Sequence, residues 1–156
     1  MMVLQRLDDL LLGRVFQPVV DRMAGNSGRI AAAEFFLTGA MVLLLARMTV
    51  SAAGALPGWT VLFDLAALWA AMAIMPTLSL ATGTRFNPLR ERFRIARRVL
   101  ACLTVANLVL GAWSTTQLLA TMETALWCIA FYFASCDAPT FSPMTSGRKV
   151  NGLNRL

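Results

Sequence analysis

Apolar residues run along the chain in four long stretches: residues 30–46 carry one charge, Glu34; 59–81 carry one, Asp64; 99–122 and 124–136 carry none, with Glu123 between them. A bilayer core of ~30 Å needs about 20 helical residues at ~1.5 Å each, so the second and third stretches are long enough to span. The first spans if Arg29 and Arg47 snorkel outward from its ends. The fourth is the shortest: residues 124–136 reach only ~20 Å, and a crossing must recruit 121–123 or run on toward Asp137. One helix over 99–136 would extend ~57 Å, nearly two bilayers, so a tight reversal is expected within 117–123. The pattern predicts an all-α integral membrane protein with four transmembrane helices, at about 30–47, 59–81, 99–119 and 121–138, in a membrane domain over residues 29–138.

Ahead of the first span the periodicity changes. Val3, Leu4, Leu7, Leu10, Leu11 and Val15 follow helical spacing, with Gln5, Arg6, Asp9 and Gly13 largely on the opposite arc and Asp8 and Arg14 at the boundary. Residues 1–28 therefore read as an amphipathic segment lying in the headgroup plane. Pro18 should end or kink its helix, and Gly25-Asn26-Ser27-Gly28 should be a hinge. Asp8 and Asp9 interrupt the first apolar run and no small-residue cleavage site follows, so no secretory signal is expected. Residues 139–156 lack periodicity and read as a flexible tail.

Composition agrees with a lipid solvent. Hydrophobic residues make up 58%, charged residues 14%, and mean hydropathy is +0.64. A soluble domain carries roughly 25% charge, which excludes a solvated globule, a disordered chain and a charged coiled coil. Thirteen of the fourteen bases precede the first stretch, separate the second from the third, or follow the fourth; only Arg47 falls in the other connections. Positive residues accumulate in cytoplasmic loops, so both termini and the central loop, residues 82–98, are expected in the cytoplasm. The preference for Arg over Lys and the Ala/Leu richness suggest a GC-rich bacterial genome, and hence the bacterial inner membrane.

The central loop holds Arg85, Arg90, Arg92, Arg94, Arg97 and Arg98 against Glu91, a formal +5. Asn87 should cap a helix opening at Pro88. These bases orient the spans whatever else they do, so a topology signal that binds anionic lipid or a partner ranks above a nucleic-acid site. Within the spans, Glu34 and Asp64 fall at opposite membrane faces, which excludes a carboxylate dyad. Glu34 is expected to pair with Arg29 and the Arg97–Arg98 pair, and Asp64 with Arg47; either acid is otherwise a candidate for a proton or ion relay. Thr104, Asn107, Gly111 and Ser114 share one face of the third span. Ala66, Ala67, Ala70 and Ala71 offer the second span a small-residue face, so a seam between spans two and three is expected, with Pro76 bending span two.

The chain has no histidine, which removes His-ligated haem, most zinc sites and histidine triads. No phosphate-binding glycine loop occurs, and Cys102, Cys128 and Cys136 have no Cys-x-x-Cys spacing and should be buried small apolar residues. No catalytic residue, metal or cofactor is expected. Three functions remain: a non-catalytic subunit or assembly factor of a larger membrane complex, engaging other membrane proteins or its own copies; a pore-forming, holin-like or small transport protein; and a membrane-tethered binder of nucleic acid or anionic lipid. They rank in that order.

Overall fold

A computed structural model describes residues 2–23, 25–53, 58–80, 87–110 and 114–137, which are helical almost throughout and include no strand. The N-terminal segment comprises α1 (Met2–Leu10), a π-helical turn (Leu11–Phe16) and α2 (Gln17–Arg22). Pro18 lies in the first turn of α2, where a missing N–H is harmless. Its ring would collide with the Arg14 carbonyl in a regular helix, and the wider π turn spanning Arg14 accommodates it. The expected break at Pro18 is thus an absorbed bulge. The chain instead turns at Met23, whose ψ of 149° is extended. Helix α3 (Gly25–Ala53) starts at once, so the glycines expected as a hinge begin a helix.

Four long helices alternate in direction: α3, α4 (Gly58–Leu80), α6 (Arg94–Leu110) and α7 (Thr115–Ser135), with the short α5 (Leu89–Arg92) before α6. Helices α3 and α7 form the antiparallel centre; α4 flanks α3, and α6 flanks α7. Gly39 permits close approach at the centre, since a Cβ there would stand 3.3 Å from Leu126 Cδ1. The expected seam between the second and third apolar stretches is therefore not formed. Those stretches are the outer helices, and only Ala71 of the small-residue face is fully buried.

The stretch that is weakest by length becomes the core. Ala130 to Cys136 are buried on every side, ringed by Phe16, Phe36 and Phe93: Phe16 stacks on Tyr132 at 4.7 Å, Phe36 on Phe133 at 5.5 Å, and Phe93 meets Phe131 edge-on at 4.6 Å. The reversal before α7 falls earlier than expected. Helix α6 ends at Leu110 and Ser114 caps α7 by accepting from the Gln117 amide, so Glu123 lies well inside a helix. Among the described residues, two helices are long and apolar enough to cross a bilayer, Gly28–Val50 and Thr115–Ser135. The apolar part of α4, Leu62–Leu78, is shorter, and α6 is basic until Arg98, leaving twelve apolar-run residues or ~18 Å.

Candidate functional site

Among the described residues, buried charge is concentrated in two clusters at opposite ends of the central pair. Along α7 the thirteen-residue interval from Glu123 to Cys136 separates them by ~20 Å.

At the first end, α7 runs out into carbonyls that need donors, because the last turn of a helix leaves its C=O groups unpaired. The Arg29 guanidinium, 1% exposed, donates to the Cys136 carbonyl. Asn87 Nδ2 donates to the carbonyls of Ala134 at 2.6 Å and Cys136 at 2.8 Å, while its Oδ1 accepts from the Leu89 amide at 3.0 Å. Asn87 thus caps α5, as its place before Pro88 predicts, and holds the α7 terminus as well. Gln17 and Asp137 exchange two hydrogen bonds, at 3.0 and 3.2 Å, and Arg90 pairs with Asp137 at 2.9 Å. A cation facing a helix C-terminus is favoured by the helix dipole.

One turn deeper, α1 delivers Asp8 into the bundle. Arg97 grips it bidentately, Nε to Oδ1 at 3.1 Å and Nη2 to Oδ2 at 3.0 Å, with both side chains 2% exposed. Arg97 also donates to the Arg90 carbonyl and lies 5.5 Å from the centre of the Tyr132 ring. Arg98 Nε stands 3.5 Å from the same Asp8 oxygen. Burial alone would raise the Asp8 carboxyl, but the hydrogen bond and charge of Arg97, with Tyr132 and Arg98 adding to them, hold it below the ordinary carboxylate range.

At the second end, Arg47 bridges two carboxylates. It pairs with Asp64, as the sequence leads one to expect, and its Nη1 stands 3.1 Å from Glu123 Oε2. Both acids are at most 4% exposed. Nearby, Gln117 of α7 donates to Asn107 of α6 at 3.4 Å, while the Thr104 hydroxyl bonds back to the Leu100 carbonyl within its own helix. The expected four-residue stripe is not one helical face: Thr104 and Asn107 lie on α6, which ends at Leu110, Ser114 caps α7, and Gly111 lies outside the described residues.

Several expected partnerships are corrected. Glu34 has no ion pair among the described residues, because Arg29 serves the α7 terminus and Arg97 and Arg98 are drawn to Asp8. The basic loop is partly consumed within the fold: Arg90 by Asp137, Arg97 by Asp8 and Arg94 by Glu91 at 3.2 Å. Arg92 is exposed without an ion pair among the described residues, and Arg85 lies outside them. Cys136 is buried, but Cys128 is half-buried and Cys102 is exposed on α6. The apolar arc of the N-terminal segment does not simply face a membrane surface, since Asp8, Leu12 and Val20 pack inward while Leu7, Leu10, Val15 and Val19 remain outside. Asp8 and Glu123 are the residues the sequence pattern does not single out; an acid amid an apolar run was the available signal for both.

No protein-family model, no curated protein and no solved structure matches this chain.

Proposed function

We propose that the chain is a small polytopic membrane protein with no catalytic centre, a subunit or assembly factor that engages other membrane proteins through its outer helices. The observation that carries this reading is the outer surface. Phe35 and Val42 on α3, Leu62 and Trp69 on α4, and Val105, Val109 and Leu110 on α6 are all more than half exposed. Soluble monomers rarely present contiguous apolar patches beyond a few hundred Å², so this surface calls for lipid or protein around it. The buried acids Asp8, Asp64 and Glu123 each pair with an arginine, which favours a structural role over a water path through the bundle.

In this proposal all four long helices cross the bacterial inner membrane, with α4 and α6 completed by flanking residues and local thinning of the bilayer. The alternating directions, and the gathering of residues 17, 29, 87, 90 and 137 at one end, support both termini and the basic loop sharing the cytoplasmic side. Cysteines placed one at a time in a Cys-less variant test it. Position 54 should react with a membrane-impermeant reagent in intact cells, and positions 92 and 150 only after permeabilisation. Reaction of position 150 in intact cells overturns the four-span topology.

The function itself is tested by extraction of the tagged chain from its native host in mild detergent. A second membrane protein should accompany it in fixed stoichiometry. Recovery of the chain alone, together with dye release from liposomes that contain only this protein, overturns the subunit reading in favour of a pore.

A further inference from the structure

Between α1 and α6 runs an open apolar groove of about 470 Å³, lined by Leu7, Ala101, Cys102, Val105, Val109 and Leu110. Its volume falls within the ~300–1,000 Å³ of small-molecule sites, and along α6 it extends about 14 Å. Polar groups contribute almost nothing to its walls. At one end the chemistry changes abruptly. Asp8 follows Leu7 in α1, and Arg98 precedes Ala101 and Cys102 by three and four residues, which sets the guanidinium one turn beyond the groove on the same helical face.

Arg98 is left with unspent hydrogen-bonding capacity. The Asp8 carboxylate is already held bidentately by Arg97, so two guanidinium groups meet one acid. Arg98 Nε and Nη2 are buried without a hydrogen-bond partner, although the side chain as a whole is 20% exposed. Buried donors without acceptors are costly, and a surplus cation at the mouth of an apolar groove is complementary to a molecule with an anionic head and a hydrocarbon tail.

We propose that this groove is a binding site for an anionic phospholipid, with one acyl chain between α1 and α6 and the phosphate at Arg98. The site rests on the membrane reading above and not on the identity of any protein partner. A lipid held there would fasten the N-terminal segment to α6, adding to the contact that Asp8 makes with Arg97 and Arg98.

The test uses the full chain, delipidated in detergent and exposed to phosphatidylglycerol, phosphatidylcholine or glycerol phosphate, with bound lipid counted by native mass spectrometry and Tm measured in parallel. One phosphatidylglycerol should be retained per chain and raise Tm, with phosphatidylcholine binding at least several-fold more weakly. Arg98→Gln should weaken phosphatidylglycerol about fivefold, the effect of one base at a charged leaflet, and Arg98→Lys should restore part of it. Val105→Trp, which fills the groove, should abolish retention of either lipid while the protein stays folded, and Arg92→Gln should change nothing. The proposal is overturned by equal retention in Val105→Trp or Arg98→Gln, by glycerol phosphate matching the lipid, or by a lipid-free dimer that Val105→Trp dissociates. Lipid binding lost while a protein partner still co-purifies rejects this site alone; a chain that purifies without partners but keeps its lipid rejects only the subunit reading.

Discussion

Arg47→Leu should destabilise the protein by about 3–5 kcal/mol, because it strands two buried carboxylates, Asp64 and Glu123, around the place their shared cation occupied. Each acid is nearly inaccessible to water, so at least one must take up a proton or pull its helix outward. Asp64→Asn alone should cost only about 1 kcal/mol, since Arg47 keeps Glu123 and can still reach water along its partly exposed side chain. If Arg47 served Asp64 alone, combining Arg47→Leu with Asp64→Asn would restore most of the stability. With Glu123 as a second partner, full recovery requires the triple variant that adds Glu123→Gln. Thermal unfolding of these variants in detergent, arranged as a mutant cycle, measures this. Recovery in the double variant equal to that in the triple would show that Glu123 contributes nothing to the cluster.

Arg97→Met should be comparably damaging, about 3–5 kcal/mol, for the same reason at the other end of the bundle: among the described residues it leaves the buried Asp8 with Arg98, at 3.5 Å, as its one cation and Tyr132 as a neutral donor. Asp8→Leu combined with Arg97→Met should be far milder than Arg97→Met alone, because a buried ion pair can be replaced by apolar side chains of similar volume at little cost. The same pair sets an acid limit on the docking of the N-terminal segment. The Asp8 carboxyl titrates lower in the folded protein than in the unfolded chain, so its contribution is complete above the unfolded value near pH 4 and is lost as pH falls through the folded value. Hydrogen exchange in residues 2–22 should therefore be constant from pH 5 to 8 once corrected for intrinsic rates, and should accelerate below about pH 4. Asp8→Asn should show no such acid step. An acid transition of equal size in Asp8→Asn would assign it to another carboxylate.

Helix content, the four apolar stretches and the grouping of the bases were legible from the sequence because they depend on period and composition, which are local properties. The Arg47–Asp64 pair was legible too, since the short connection between the first two stretches leaves an arginine and an acid near the same end. Asn87 announced its cap through Pro88, but not its second use. Its two bonds to the end of α7 join residues more than forty positions apart, and nothing in the local pattern carries that information.

What only the tertiary structure decided is which polar groups meet. Thr124 to Cys136 is the shortest apolar stretch, yet these residues form much of the core, because the helix that carries them opens at Thr115 and lies at the centre of the bundle. The small-residue face of the second apolar stretch and the polar face of the third suggested a seam, but pairing order in a bundle depends on how all the helices fill space together, and those two lie on opposite flanks. Asp8 looked like a residue at the edge of a surface helix. The π turn over Leu11–Phe16 and the bend at Met23 fold that helix back onto α6 and α7, and the strong preference of a buried carboxylate for a bidentate guanidinium then draws Arg97 to Asp8 and leaves Glu34 without it. The sequence by itself determined that the chain is helical, apolar and one-sided in charge; long-range packing and the pairing of each buried acid with an arginine decided how its polar residues are joined.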